Sequence, residues 1–191
     1  MTVIDFPAPT TSTHPTSASP RSRHRGSPPT VALRELGPGE TGVLDAVFAG
    51  MSAHSRYLRF HGATPRMTGA VRRKLAAVDG RRHLAVASFA PDGAPIGIAR
   101  LIWLGLRDVE LAIEVVDAWQ GRGVGRRLLT AVAARGRAEG YSRLVADVLA
   151  ENVGVRVLLV SVLPILTIET SGHEVTLTAD LRPAAPLAAV A

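Results

Sequence analysis

The sequence predicts an α/β (α+β) fold built on a mixed, mainly antiparallel sheet, and three observations predict it. Residues Val109 to Asn152 pass from an alternating strand pattern through a glycine turn into an amphipathic helix, then into a second strand pattern. That order is a βαβ unit. Upstream, His83–Phe89 and Ile96–Trp103 are strand patterns joined by Pro91-Asp92-Gly93-Ala94-Pro95. Proline presets one dihedral of that turn and glycine allows a positive one, so the pair makes a hairpin. Val109–Val116 follows closely and extends the hairpin to a three-stranded antiparallel meander leading into the βαβ unit.

The elements follow in chain order. Residues 1–29 hold six prolines, many Ser and Thr, and the basic cluster Arg21, Arg23, His24, Arg25, with little to bury. A disordered tail is expected there. Order is expected over residues 30–182, beginning with a short strand at Val31–Leu36 that Gly37-Pro38-Gly39 ends. From Glu40 to about Ser55, Val43, Leu44, Val47, Phe48 and Met51 share one helical face. The aromatic-basic stretch Ser55–Gly62 continues that helix or loops against it, with Tyr57 and Phe60 on one core-facing side. Pro65–Val78 reads as a further helix, with proline tolerated near its start. Val153–Ile168 reads as buried structure; Ile165–Glu169 and His173–Leu181 are closing strands, and residues 183–191 a flexible C-terminal tail.

Composition narrows the function. The 191 residues suit one domain, with 47% hydrophobic and 20% charged residues. The absence of cysteine excludes disulfides, thiolate metal sites and a cysteine nucleophile, and fits a cytoplasmic setting. The net charge is +6, carried by arginine, since Lys74 is the only lysine. A compositional bias and a polyanionic ligand both account for it. Nucleic acid is the weaker version, because aromatics reach only 4%. The apolar run Val153–Ile168 is interrupted by Arg156 and Pro164 and is shorter than the roughly 20 residues of a membrane span. No membrane partner is expected, and the scattered histidines predict no metal.

The chemistry concentrates in Gln120-Gly121-Arg122-Gly123-Val124-Gly125. A dinucleotide fingerprint needs glycine three residues after Gly123, where Arg126 stands; a phosphate-loop motif needs a lysine that is missing. What remains is a glycine turn opening a helix whose apolar positions are Val124, Leu128, Ala131, Val132 and Ala134. Arg126 and Arg127 in the first turn oppose the positive end of the helix dipole, and a bound anion reverses that sign. A pyrophosphate or comparable anion site follows. Along the strand before it, Glu110, Ala112, Glu114 and Val116 share one face, which is either a solvated surface or one whose apolar surroundings raise the two carboxyls.

This pattern resembles the GNAT superfamily of acyl-CoA-dependent N-acyltransferases, whose acyl-CoA motif R/Q-x-x-G-x-G/A is matched by Gln120, Gly123 and Gly125. The resemblance covers about residues 31–182, and Ser55–Phe60 resembles a segment of bacterial GNAT domains that include protein lysine acetyltransferases. It implies a sheet of about 6–7 strands flanked by about 4 helices, with acetyl-CoA as acyl donor in a splay between strands 109–117 and 143–149. The resemblance further implies pyrophosphate on the backbone amides of Arg122, Gly123, Val124, Gly125 and Arg126, after the turn at Gly121. Phosphates would meet Arg122, Arg126 and Arg127. Val115 and Val116 would pair with the pantetheine arm through their main chain, and Asn152 through its side chain.

The implied reaction is direct attack by a primary amine, of a protein lysine or a small molecule, on the thioester. Glu110 is the first choice of general base and Glu114 the second. One departure stands out: about seven residues after Asn152 many members carry a tyrosine acid, and here Leu158, Leu159 and Val160 occupy that region. Water, Tyr57 or an unprotonated thiolate would then serve. A non-catalytic acyl-CoA sensor and a basic nucleic-acid-binding module remain as alternatives, and a homodimer is compatible with either.

Overall fold

A computed structural model describes residues 31–182; the tails expected at 1–29 and 183–191 lie outside the described residues. Seven strands form one sheet: β1 Ala32–Glu35, β2 His83–Phe89, β3 Pro95–Gly105, β4 Asp108–Val115, β5 Arg143–Leu149, β6 Ile165–Ser171 and β7 Glu174–Asp180. The order across the sheet is β1-β2-β3-β4-β5-β7-β6. Only β4 and β5 run parallel. The expected class, strand number and meander are therefore present. Five helices flank the sheet: α1 Thr41–Ala49, α2 Ala53–Phe60, α3 Gly69–Ala76, α4 Val124–Ala138 and α5 Val153–Val162.

Each sheet face has its own core. On one, Val124, Leu128, Leu129 and Val132 of α4 pack on Leu84, Ala99, Leu101 and Val109. On the other, Leu44 and Val47 of α1 and Leu75 of α3 cover Ala85, Ala87 and Ile98. Ala133 and Gly136, rather than Ala134, complete the buried face of α4. At Gly136 an added Cβ would stand 2.6 Å from Leu101 Cδ1. The glycine lets helix and sheet approach.

The helix expected from Glu40 to Ser55 is two helices. Gly50 and Met51 interrupt it, and Ser52, extended at φ −66° and ψ 167°, caps α2 by accepting from Ser55 N at 3.1 Å. Local hydrogen bonding by serine ends one helix and starts the next. A Cβ at Gly50 would lie 2.7 Å from Val116 Cγ1, so the break is also where the chain crosses β4's end. The helix expected from Pro65 begins four residues later, at Gly69, with Thr68 accepting from Val71 N at 3.4 Å.

Two burial expectations are corrected. Tyr57 is 38% exposed, while Phe60 packs on Phe48 with ring centroids 5.9 Å apart. Spacing puts the two on adjacent helical positions, but α2 is amphipathic over too narrow an arc to bury both. Val153–Ile168 is not buried as a unit: Val153, Val157 and Val160 are exposed along α5, and Leu166 and Ile168 along the edge strand β6. Hydropathy alone does not tell an edge from a centre.

Candidate active site

The β4–β5 ladder runs only through Asp108↔Arg143, Val109↔Leu144 and Glu110↔Val145. Beyond it the two strands part. On its other side β4 stays paired with β3 as far as Gly97↔Val115. Val116 N donates to Ile96 O at 2.9 Å, so even-numbered residues of β4 bond towards β3. Antiparallel alternation then turns the main-chain groups of Ile113 and Val115 into the gap.

That gap is the floor of a cavity of about 990 Å³. Its lining joins the glycine turn (Gly121, Gly123, Gly125), the β4 face (Glu110, Glu114, Val115), α2 (Leu58, Arg59) and the start of α5 (Asn152, Leu158). The turn is built for close approach: Gly121 and Gly123 have φ of 69° and 81°, where a Cβ is strained. Gly125 opens no free space of its own, because Leu158 Cδ2 stands 3.1 Å from where its Cβ would be. Backbone amides at the start of α4 have no earlier helical partner, which makes this end a natural anion site.

The residues expected at the cofactor divide into three groups. Gly121, Gly123, Gly125, Arg126, Val115, Gln120 and Asn152 come together around the cavity. Val124 is buried beneath the turn, and its side chain serves the core. Arg122 stacks on Trp119 at 5.2 Å and Arg127 is exposed; neither side chain lines the cavity.

For Val116, the N–H donates to Ile96 O and is not left for a ligand, while the carbonyl accepts from Trp119 N at 2.8 Å. The Gln120 side chain has a structural task as well. Its Nε2 donates to Val115 O at 3.0 Å and to Ser55 Oγ at 3.3 Å, closing the turn onto β4 and α2. Asn152 caps α5 through Oδ1, which accepts from Val155 N at 3.3 Å. Arg126 reaches across to Ser161, donating to its Oγ at 2.9 Å.

The two glutamates have different surroundings. Glu110 is half-buried on the cavity wall and, among the described residues, its side chain makes no hydrogen bond. Glu114 is 9% exposed and gripped from both sides, by Arg100 of β3 at Oε1 and by Arg59 Nε at Oε2, the latter at 2.6 Å. Burial would raise this carboxyl, but the charges of Arg100 and then Arg59 outweigh it and hold it below its ordinary value. An upward shift is thereby overturned for Glu114, and an anion so held is a poor proton acceptor. Tyr57 is also affected: the nearby Glu151 carboxylate pushes its phenol up.

Sequence reasoning assigned no role to Arg59 or Arg100. The signal for Arg100 was a lone charge at an inward position of the apolar strand Pro95–Gly105, a position that demands a partner. Arg59 stood in the aromatic-basic stretch without an identified counter-charge. Among the described residues no three His, Asp or Glu side chains gather into a metal-holding group, and no helix is long and apolar enough to cross a membrane.

Comparison with known proteins fits this geometry. The GNAT domain of S. lividans PAT is 25% identical, with TM-score 0.71 over 78% of this chain and 89% of that one. A cAMP-binding acyltransferase from Mycobacterium smegmatis is 26% identical, with TM-score 0.54; the match covers 79% of this chain but 43% of that one. The fold also matches yncA from Salmonella typhimurium, solved with its cofactor acetyl-CoA, at 20% identity and TM-score 0.57 over 83% and 98% of the two chains. The model of the acetyltransferase (GNAT) family matches residues 53–158, which hold α2, the meander, the glycine turn and the splay. The chain belongs to the acetyltransferase (GNAT) family and is an acyltransferase.

Proposed function

We propose that the protein transfers an acetyl group from acetyl-CoA to a primary amine by direct attack on the thioester. The observation that carries this reading is the three-pair β4–β5 ladder opening beside the glycine turn. The gap offers main-chain groups to a pantetheine arm at the spacing of a strand, and the turn offers amides to pyrophosphate. Val115 N–H then faces the thioester carbonyl and stabilises the oxyanion of the tetrahedral intermediate.

An alkylammonium with a pKa of about 10.4 is mostly protonated at pH 7, so the acceptor must lose a proton before attack. Glu110 takes it, directly or through water. Its side chain faces the cavity and, among the described residues, has no cationic partner. Glu114 is not assigned this role, because both of its oxygens are committed to arginines. The acceptor is a primary amine of a protein lysine or a small molecule; the resemblance of Ser55–Phe60 to bacterial GNAT domains that include protein lysine acetyltransferases favours lysine.

The test follows free CoA thiol across amines that include lysine peptides. Turnover is expected with at least one acceptor, and Glu110→Gln is expected to lower kcat about 10²- to 10⁴-fold. Thermal stabilisation by acetyl-CoA without thiol release from any amine would identify an acyl-CoA sensor instead.

A further inference from the structure

The leaving group lacks its expected acid. Leu158 stands in the region where the resemblance puts a tyrosine, and it lines the cavity. The negative charge that develops on sulfur therefore needs another partner.

Arg59 is placed to be that partner. It extends from α2 into the same cavity as Ile113, Val115 and Leu158, with its side chain 17% exposed. Glu114 holds it through Nε alone, at 2.6 Å. Among the described residues its two Nη nitrogens make no hydrogen bond, and they are the outward half of the guanidinium fork. Phe60 backs its cationic carbon at 5.0 Å, restricting it further. Arg100, Glu114 and Arg59 together carry one net positive charge, centred on Glu114 immediately before Val115 in the chain. A charge fixed in a site largely shielded from water acts strongly on a developing anion.

We propose that Arg59 is a catalytic residue of the transfer, pairing with the CoA thiolate as the C–S bond breaks. This rests on the acetyl transfer argued above. The acceptor nitrogen's lone pair forms the C–N bond and the carbonyl π pair moves to oxygen; on collapse the C–S bond breaks with its electron pair on sulfur. Of the two protons the ammonium sheds, one leaves through Glu110 to solvent and the other reaches sulfur through water. A guanidinium keeps its own protons at neutral pH, so Arg59 holds the charge and donates no proton.

Bound CoA reports this directly, without an acceptor. Thiolate ultraviolet absorbance is followed against pH for CoA bound to the wild type, Arg59→Gln and Arg59→Lys. The other ionisable groups on the cavity wall are Glu110, Glu114, Asp147 and Glu174, whose carboxylates oppose a thiolate, and Arg126 and His61, and all are common to the three proteins. In the wild type the thiol is expected to titrate about one unit or more below the value of free CoA measured in the same buffer. Arg59→Gln should return it to that value or above, and Arg59→Lys should fall between.

Kinetically, Arg59→Gln should lower kcat about 10²-fold with little change in KM for acetyl-CoA. That loss should shrink with the selenoester analogue, whose leaving group is the weaker base. Identical titration of bound CoA in wild type and Arg59→Gln overturns the assignment. Failure of the wild type to bind CoA overturns the acyl-donor reading itself, and wild-type binding without turnover overturns only the transfer.

Discussion

At the scale of single residues, Glu110 and Glu114 share a strand face and a residue type, yet their neighbours give them opposite tasks. Removing the charge of Glu114 leaves Arg100, fully buried with Nε and Nη2 unpartnered, beside Arg59 with no counter-ion. Breaking one partner out of a buried ion pair costs about 3–5 kcal/mol. Glu114→Gln is therefore expected to lower unfolding stability by about that amount in urea titrations, whereas Glu110→Gln should alter stability little and turnover greatly. The pH dependence has a definite sign. The folded-state pKa of Glu114 lies below its unfolded value, so the folded state binds fewer protons. Its contribution is present above the ordinary carboxylate pKa and is lost as pH falls through the depressed one. Glu40, held at about 2 by Arg34 and by Gly37 N–H, behaves alike. Glu40→Gln should flatten the fall in stability between about pH 4.3 and about 2.

At the scale of elements, α2 is the helix that sequence reading described least well, and its construction explains why. No residue of α2 is fully buried. It is held by Arg59 to β4 and by Ser55 through Gln120 to Val115, and His61 just beyond its end bonds Glu174. The far partners of such polar ties do not show in a helical periodicity. The meander, α4 and β5 were legible because each has one apolar face or a run between turn residues. The cavity was legible through its glycines, whose spacing reports backbone rather than side-chain needs. Arg59 and Val116 were not, since a charge partner 55 residues away and a hydrogen bond spent on β3 appear only after folding. Close packing offers a test at this scale: Gly97 faces Glu114 O at 2.9 Å and Leu128 Cδ1 at 3.0 Å from its ideal Cβ position. Gly97→Ala should destabilise the fold by about 1–3 kcal/mol and shift β4 against α4, read by thermal unfolding and by KM for acetyl-CoA.

Across the whole molecule, the sheet is nearly continuous except at one seam. Six neighbouring strand pairs hold it together, and the pair at its middle, β4–β5, is the one that comes apart. α1 and α3 cover β2 and β3 on one face, whereas on the other the core under α4 runs across the seam, from Leu84, Leu101 and Val109 to Leu144, Leu177 and Leu181. A bound pantetheine chain then behaves as a missing strand, filling the seam between β4 and β5 above a core that already joins the two sides. The coenzyme becomes part of the fold as well as a reactant. At a concentration 100 times its dissociation constant it should add about 2.7 kcal/mol to the unfolding free energy. For a protein of this size that corresponds to a rise in Tm of about 5–10 °C. Amide exchange at Ile113 and Val115 should slow on binding more than exchange in the β2–β3 hairpin. A single melting transition that moves to higher temperature with acetyl-CoA would be the thermodynamic signature of the filled seam.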